Sequence, residues 1–208
     1  MSNISKTIFF TLVVVILVIA GFKLSNKTQN EEPIIIGAIL PQTGIAAIVG
    51  ETERQGIELA VKEINDEGGV DGRMFRVAFE DDRTDPKETV TAIRKLTSTQ
   101  DVSAIIGGTW DFLANAAIPV AEAEQVVLIS PSALPDTLEK ESPYYFVTHS
   151  PVSSVESAVK RWLISNNTKR VVLMSVNNLW GQAHLKTFRK ATEGQGITIL
   201  KEIVVPQF

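Results

Sequence analysis

Ile34-Ile35-Ile36-Gly37-Ala38-Ile39-Leu40 is an unbroken apolar run, closed by Pro41. A strand with one face in water alternates apolar and polar residues. A run with no alternation is the mark of a strand buried on both faces, as in a parallel sheet covered by helices. Outward from this strand the pattern changes period. From Glu51 the apolar positions fall at helical spacing, with Ile57, Leu59-Ala60-Val61 and Ile64 on one face, and Gly68-Gly69 stop the helix. Residues 74–80 alternate at period two and predict a second strand. Pro86 opens the next helix at a first-turn position, with Val90, Ile93 and Leu96 facing inward.

The same alternation continues downstream. Strands are expected at 102–107 and 126–129, with a helix at 111–124 between them. An extended segment at 144–148 leads into a helix at 152–165, then a strand at 171–174, a helix at 182–193 and a strand at 197–205. Repeated strand–helix units of this kind predict an α/β fold with doubly wound parallel sheets. The looser stretch 131–150, with Pro131, Pro135 and Pro143, marks a crossing between two lobes. The first lobe is assigned to residues 34–149 and the start of a second lobe to 150–208. Only two strands follow the crossing, so the second lobe reads as incomplete and the chain as a fragment.

Composition excludes several chemistries. The chain has 208 residues, 44% of them hydrophobic, and a formal net charge of -4, which lacks the basic face of a nucleic-acid binder. Cysteine is absent, so disulfides, thiolate metal sites, cysteine nucleophiles and a lipid-modified N-terminal cysteine are all ruled out. His149 and His184 are the two histidines and stand far apart in sequence, which speaks against a zinc site or a histidine-based triad. No phosphate loop, dinucleotide fingerprint or nucleophile elbow is present. The chain is therefore not expected to be an enzyme, and neither catalytic residues, a metal nor a cofactor is assigned.

Residues 8–22 (IFFTLVVVILVIAGF) form an uncharged apolar run between Lys6 and Lys23. As a helix, roughly 15 residues reach ~22 Å, against a hydrocarbon core of ~30 Å, and extension to 4–24 with snorkelling lysines closes the gap. Residues 1–24 are read as an export signal or retained anchor helix and 25–33 as a polar tether. Either form places the rest of the chain outside the cytoplasm, in the periplasm or on the outer face of the cytoplasmic membrane.

In open parallel sheets, ligands bind beyond the carboxyl ends of the strands, beside helix N-termini. Three loops qualify: 41–50, 107–111 and 130–134. The segments that frame them resemble, in order and spacing, the type I periplasmic binding proteins of the branched-chain amino acid receptor group. The matching stretches begin with Ile36-Gly37-Ala38-Ile39-Leu40-Pro41-Gln42-Thr43-Gly44 and Gly56-Ile57-Glu58-Leu59-Ala60-Val61. Ile64-Asn65-Asp66-Glu67-Gly68-Gly69-Val70-Asp71-Gly72-Arg73 and Glu80-Asp81-Asp82-Arg83-Thr84-Asp85-Pro86 come next. Ile105-Ile106-Gly107-Gly108, Ile129-Ser130-Pro131 and Trp180-Gly181 complete the set.

The resemblance implies two doubly wound lobes that close on a small molecule and deliver it to an ABC permease complex. An alternative on the same fold is the ligand-sensing ectodomain of a receptor. In amino-acid-binding members, hydroxyl residues after the third and fourth strands hold the ligand carboxylate. Here the first position is Asp111; the second falls near Ser132, and the threonine expected two residues later is Leu134. Asp111 is expected either to cap its helix or to face the ligand, where it would repel a carboxylate and pair with an amine. The resemblance places Trp110 and Trp180 on cleft-facing positions of the two lobes, suited to an apolar or cationic group. The candidate ligand-binding residues are thus Trp110, Asp111, Ser132, Ala133 and Trp180. The acidic run Glu80-Asp81-Asp82 is read as a structural loop element, and both histidines as lying outside any active site.

Overall fold

The computed structural model describes residues 32–138 and 141–206. The apolar run at 8–22 and the tether up to residue 31 lie outside the described residues. Among the described residues no helix is long and apolar enough to cross a membrane. The elements run β1 (Ile34–Leu40), α1 (Ala47–Asp66), β2 (Phe75–Asp81), α2 (Pro86–Thr99), β3 (Ala104–Gly107), α3 (Asp111–Ala123), β4 (Val127–Ser130) and β5 (Tyr145–Val147). They continue with α4 (Glu156–Ser165), β6 (Arg170–Val176), α5 (Leu179–Thr192) and β7 (Thr198–Val205). The described residues divide into two compact units, one containing 32–34 and Leu59–Arg76, the other Ile35–Glu58 and the described residues from Val77 on.

In the first unit, the Asn65 side chain closes the turn that follows α1. Its Nδ2 donates to the Phe75 carbonyl at 3.0 Å, and its Oδ1 accepts from Phe75 N at 2.7 Å. A side-chain amide thus supplies the paired donor and acceptor that a neighbouring strand would otherwise offer.

The second unit holds two sheets. The larger has strand order β2-β1-β3-β4-β5. The β1–β3, β3–β4 and β4–β5 pairs are parallel, with Ile36 opposite Ala104, Ile105 opposite Leu128 and Ile129 opposite Phe146. The four residues from Gly37 to Leu40 are all buried, as the unbroken run requires. Ile39, Ile105 and Leu128 join Ala92, Ile93 and Leu96 of α2 and Ala117, Val120 and Ala121 of α3 in one hydrophobic cluster. Asp85 starts α2 by accepting from Lys87 N at 2.7 Å, one residue before Pro86, whose missing N–H is no loss there.

The smaller sheet pairs β6 and β7 in parallel, with a register shift between Val171 and Val172. Leu173 on one face of β6 is buried, as are Leu163, Leu185 and Ala191 of the helices, while Val172 and Met174 on the other face are exposed. This sheet is therefore covered on one side among the described residues.

The strand bounds shift by one or two residues from the sequence expectation, and three helix starts differ by more. α1 begins at Ala47 rather than Glu51. α5 begins at Leu179 rather than Gln182, because Asn178 caps it by accepting from Gly181 N at 2.8 Å, which draws Trp180 and Gly181 into the first turn. The segment expected as a helix at 152–165 starts with a 3-10 turn, Val152–Val155. There the Ser154 hydroxyl and its own N–H both bond the Pro151 carbonyl, at 2.7 Å and 3.0 Å, a local bond that competes with the helical ladder.

Candidate functional site

The carboxyl ends of β1, β3, β4, β5 and β6 surround a cavity of about 650 Å³. After β3, Gly108 adopts φ +73°, a conformation that disfavours a side chain, and a Cβ there would crowd Ala114 Cα at 3.0 Å. This turn delivers Trp110, Asp111 and Phe112 to the cavity wall at the start of α3. Ser132 comes from the loop after β4, His149 from the segment after β5, and Ile45 from the loop after β1. The facing wall is Val176, Asn177, Asn178, Leu179 and Trp180, the end of β6 and the start of α5. That wall depends on Gly181, where a Cβ would lie 2.1 Å from the Val176 carbonyl oxygen, so α5 can start this close to β6 only without a side chain there.

Of the five residues read from the sequence, Trp110, Asp111, Ser132 and Trp180 line this one cavity. Ala133 is fully buried and is not part of the lining. Asp111 is not the cap of its helix: Trp110 occupies the cap position, and Asp111 Oδ1 accepts from Leu134 N at 3.1 Å. Asp111 therefore ties the loop after β4 to the start of α3, and Leu134 takes part through its backbone. Trp180 stacks on His184 with ring centroids 4.0 Å apart, while Trp110 lies 6.0 Å from Phe112 at a tilt.

Behind the lining stands a residue that no local pattern singled out. Glu53 of α1 receives Thr109 Oγ1 at 2.7 Å on Oε2 and contacts Ser132 Oγ at 2.8 Å through Oε1. Ser132 Oγ also bonds the Thr109 carbonyl oxygen. Burial pushes the Glu53 carboxyl above its usual range, outweighing the Thr109 and Ser132 hydrogen bonds that act the other way. Its partners are 56 and 79 residues distant in sequence, so spacing carries no signal of the contact. His149, read as lying outside any site, lines the cavity, with Nδ1 at 2.8 Å from the Ser150 carbonyl.

The lining is aromatic and apolar with a few polar groups, the usual character of a small-molecule site. Among the described residues it contains one carboxylate, Asp111, and neither lysine nor arginine. Among the described residues no cluster of three or more metal-ligating side chains is present.

Comparison with known proteins agrees with this architecture. A family model described as periplasmic binding protein matches residues 33–207. The Leu/Ile/Val-binding protein BraC3 of Rhizobium johnstonii is 27% identical over 179 residues, covering 83% of this chain and 48% of that protein. The substrate-binding protein LivJ of Streptococcus pneumoniae, solved with isoleucine, superposes with a TM-score of 0.76 at 30% identity, over 84% of this chain and 50% of its own. A solute-binding protein of an ABC transporter from Rhodopseudomonas palustris, solved with 3,4-dihydroxybenzoic acid, gives 0.77 at 26% identity, over 85% and 48%. The chain spans about half the length of the curated relatives it matches. It belongs to the periplasmic binding protein family, with the type I fold.

Proposed function

We propose that this chain is the extracytoplasmic solute-binding component of an ABC importer and holds a small amino-acid-like, amine or amide ligand in the cavity described above. One observation carries the reading. The carboxyl ends of strands from both sheets, with an indole from each side, enclose a single cavity of about 650 Å³, a size suited to a small molecule. Residues 34–149 are the first lobe of the receptor and 150–208 belong to the second. A ligand that touches Trp110 and Ser132 on one side and Trp180 on the other favours the closed arrangement by its differential contacts. The apolar run at 8–22 supports export, with the chain either released or held at the outer face of the membrane, next to the permease that takes the ligand.

Titration with amino acids, amines and amides, followed by thermal denaturation, tests this. A ligand that binds the folded state alone stabilises it by about 2.7 kcal/mol at one hundred times its Kd. A saturable rise in Tm without chemical change of the ligand is the expected result. Turnover of the ligand, or no saturable rise with any member of the panel, sinks the reading.

A further inference from the structure

A threonine in a helix can give its hydroxyl proton to a carbonyl three or four residues earlier. Thr52, Thr89, Thr91, Thr97, Thr99 and Thr192 all do so, at 2.6–3.1 Å. Thr187 of α5 does not. It is 5% exposed, and its hydroxyl has no hydrogen bond among the described residues. Leaving a buried hydroxyl unpaired costs free energy that a valine of the same shape would not. Thr187 lines a cavity of about 170 Å³ between the start of α4 and the middle of α5, together with Ser153, Glu156, Ala183, Lys186 and Lys190. None of these residues lines the larger cavity.

The charges around this smaller cavity are unpaired as well. Lys186 and Lys190 stand one turn apart on α5, and neither ammonium has an ion pair or hydrogen bond among the described residues. Glu156, in the first turn of α4, lines the same cavity and pairs with neither lysine. Opposite charges that face one cavity without meeting leave room for a group that bonds to both. At about 170 Å³ the space lies below the range of drug-sized sites and is several times the ~30 Å³ share of one water. Two ammonium groups and two hydroxyls are donors that favour an oxyanion. A carboxylate only accepts, so it bonds an oxyanion that carries a proton and repels one that does not. We propose that the cavity formed by Ser153, Glu156, Lys186, Thr187 and Lys190 is a second site, which takes a protonated oxyanion, hydrogenphosphate, in preference to sulfate. Inorganic phosphate keeps a hydroxyl at neutral pH, and sulfate has none. The lysines and the Ser153 and Thr187 hydroxyls donate to the bare oxygens, and Glu156 accepts from the P–OH. This site stands independently of the solute-binding reading above.

The test uses the 208-residue chain in chloride buffer at pH 7 and constant ionic strength, with calorimetric titration of phosphate, sulfate and methyl phosphate. Phosphate is expected to saturate one site and to bind roughly fivefold or more tightly than sulfate, the effect of about one hydrogen bond. Methyl phosphate, mostly an unprotonated dianion at that pH, is expected to follow sulfate. Lys186→Gln and Lys190→Gln, at exposed side chains, each weaken phosphate binding by roughly fivefold. Glu156→Gln relieves the repulsion and brings the phosphate-to-sulfate ratio below about twofold. Thr187→Val raises Tm in the absence of phosphate and weakens phosphate binding by about threefold, with circular dichroism confirming that each variant is folded. Absence of saturable phosphate binding, or sulfate or methyl phosphate binding as tightly as phosphate, overturns the proposal. Phosphate binding that survives Lys186→Gln and Lys190→Gln together places the ion elsewhere and also overturns it. An unchanged ratio in Glu156→Gln, or unchanged phosphate affinity in Thr187→Val, does the same.

Discussion

Asp82 is fully buried at the end of β2, with Oδ1 accepting from Thr84 N at 2.9 Å and Oδ2 from Thr89 Oγ1 at 3.4 Å. Burial, followed by the charges of Asp81 and Glu53, pushes its pKa up from 3.8 to about 6, against the bonds from Thr84 and Thr89. Its neighbour Asp81 moves the other way. Burial raises it too, but bonds from the Thr43 hydroxyl and from the backbone N–H groups of Arg83, Thr43 and Gln42 outweigh that and hold it below its usual range. A raised folded-state pKa means the Asp82 contribution is fully present below about pH 3.8 and is lost as pH rises through about 6. By linkage the loss is at most roughly 3 kcal/mol. The depressed Asp81 contributes in the opposite sense, above its ordinary pKa, and loses its contribution only as pH falls further. Asp82→Asn keeps an acceptor for Thr84 N and a partner for Thr89, so it is expected to be more stable than wild type at pH 8. Its urea-unfolding free energy is also expected to fall less steeply between pH 4 and 6, with Glu53 left to supply the remaining slope. A variant less stable than wild type at pH 8 would show that Asp82 works as a carboxylate.

Among the elements, two helical glycines separate propensity from packing. Glycine in a helix interior costs about 1 kcal/mol relative to alanine, so replacing it is favourable where space allows. A Cβ added to Gly56 in α1 would meet nothing within 4 Å, and Gly56→Ala is expected to raise stability by roughly 0.5–1 kcal/mol. Gly181 in α5 would place a Cβ 2.1 Å from the Val176 carbonyl oxygen and 2.4 Å from Ser175 Oγ. There the overlap wins, and Gly181→Ala is expected to destabilise by about 1–3 kcal/mol and to weaken ligand binding, because the displaced turn carries Trp180. Thermal denaturation of the pair, with ligand titration of Gly181→Ala, checks both signs. The same helix start shows where the sequence was legible. Ile34–Leu40 was readable because burial on both faces leaves an unbroken apolar run, and the strand has those bounds. The helix expected from Gln182 left out Trp180-Gly181, since the reason for glycine there is a carbonyl of β6, a contact that no local pattern encodes. Trp110, Asp111, Ser132 and Trp180 were legible from strand ends and resemblance. Glu53 was not, because a charged residue flanked by Thr52 and Arg54 on a helix looks like any solvated position.

At the scale of the whole chain, stability is unevenly distributed, and the two sheets are expected to differ in how often they open. The five-stranded sheet packs fully buried Ile39, Ile105 and Leu128 against residues of α2 and α3. The two-stranded β6–β7 sheet has Val172, Met174, Leu200 and Val204 exposed at 52%, 69%, 56% and 49%. Two strands are marginal without a packed face, and amides open locally where few apolar contacts hold them. Hydrogen–deuterium exchange is therefore expected to be slow in peptides spanning β1, β3 and β4 and at least tenfold faster in β6 and β7. A ligand that bridges Trp110 and Trp180 acts on the weaker side: it draws the β6–α5 turn into contact with the start of α3, and exchange in 176–181 should slow on saturation while the β1 and β3 peptides change little. Equal protection in both sheets would mean that the covered face of β6 and β7, around Leu173, Leu185 and Ala191, is a sufficient core by itself. Saturable ligand binding that leaves 176–181 unchanged would place the ligand against the α3 wall alone and remove Trp180 from the site.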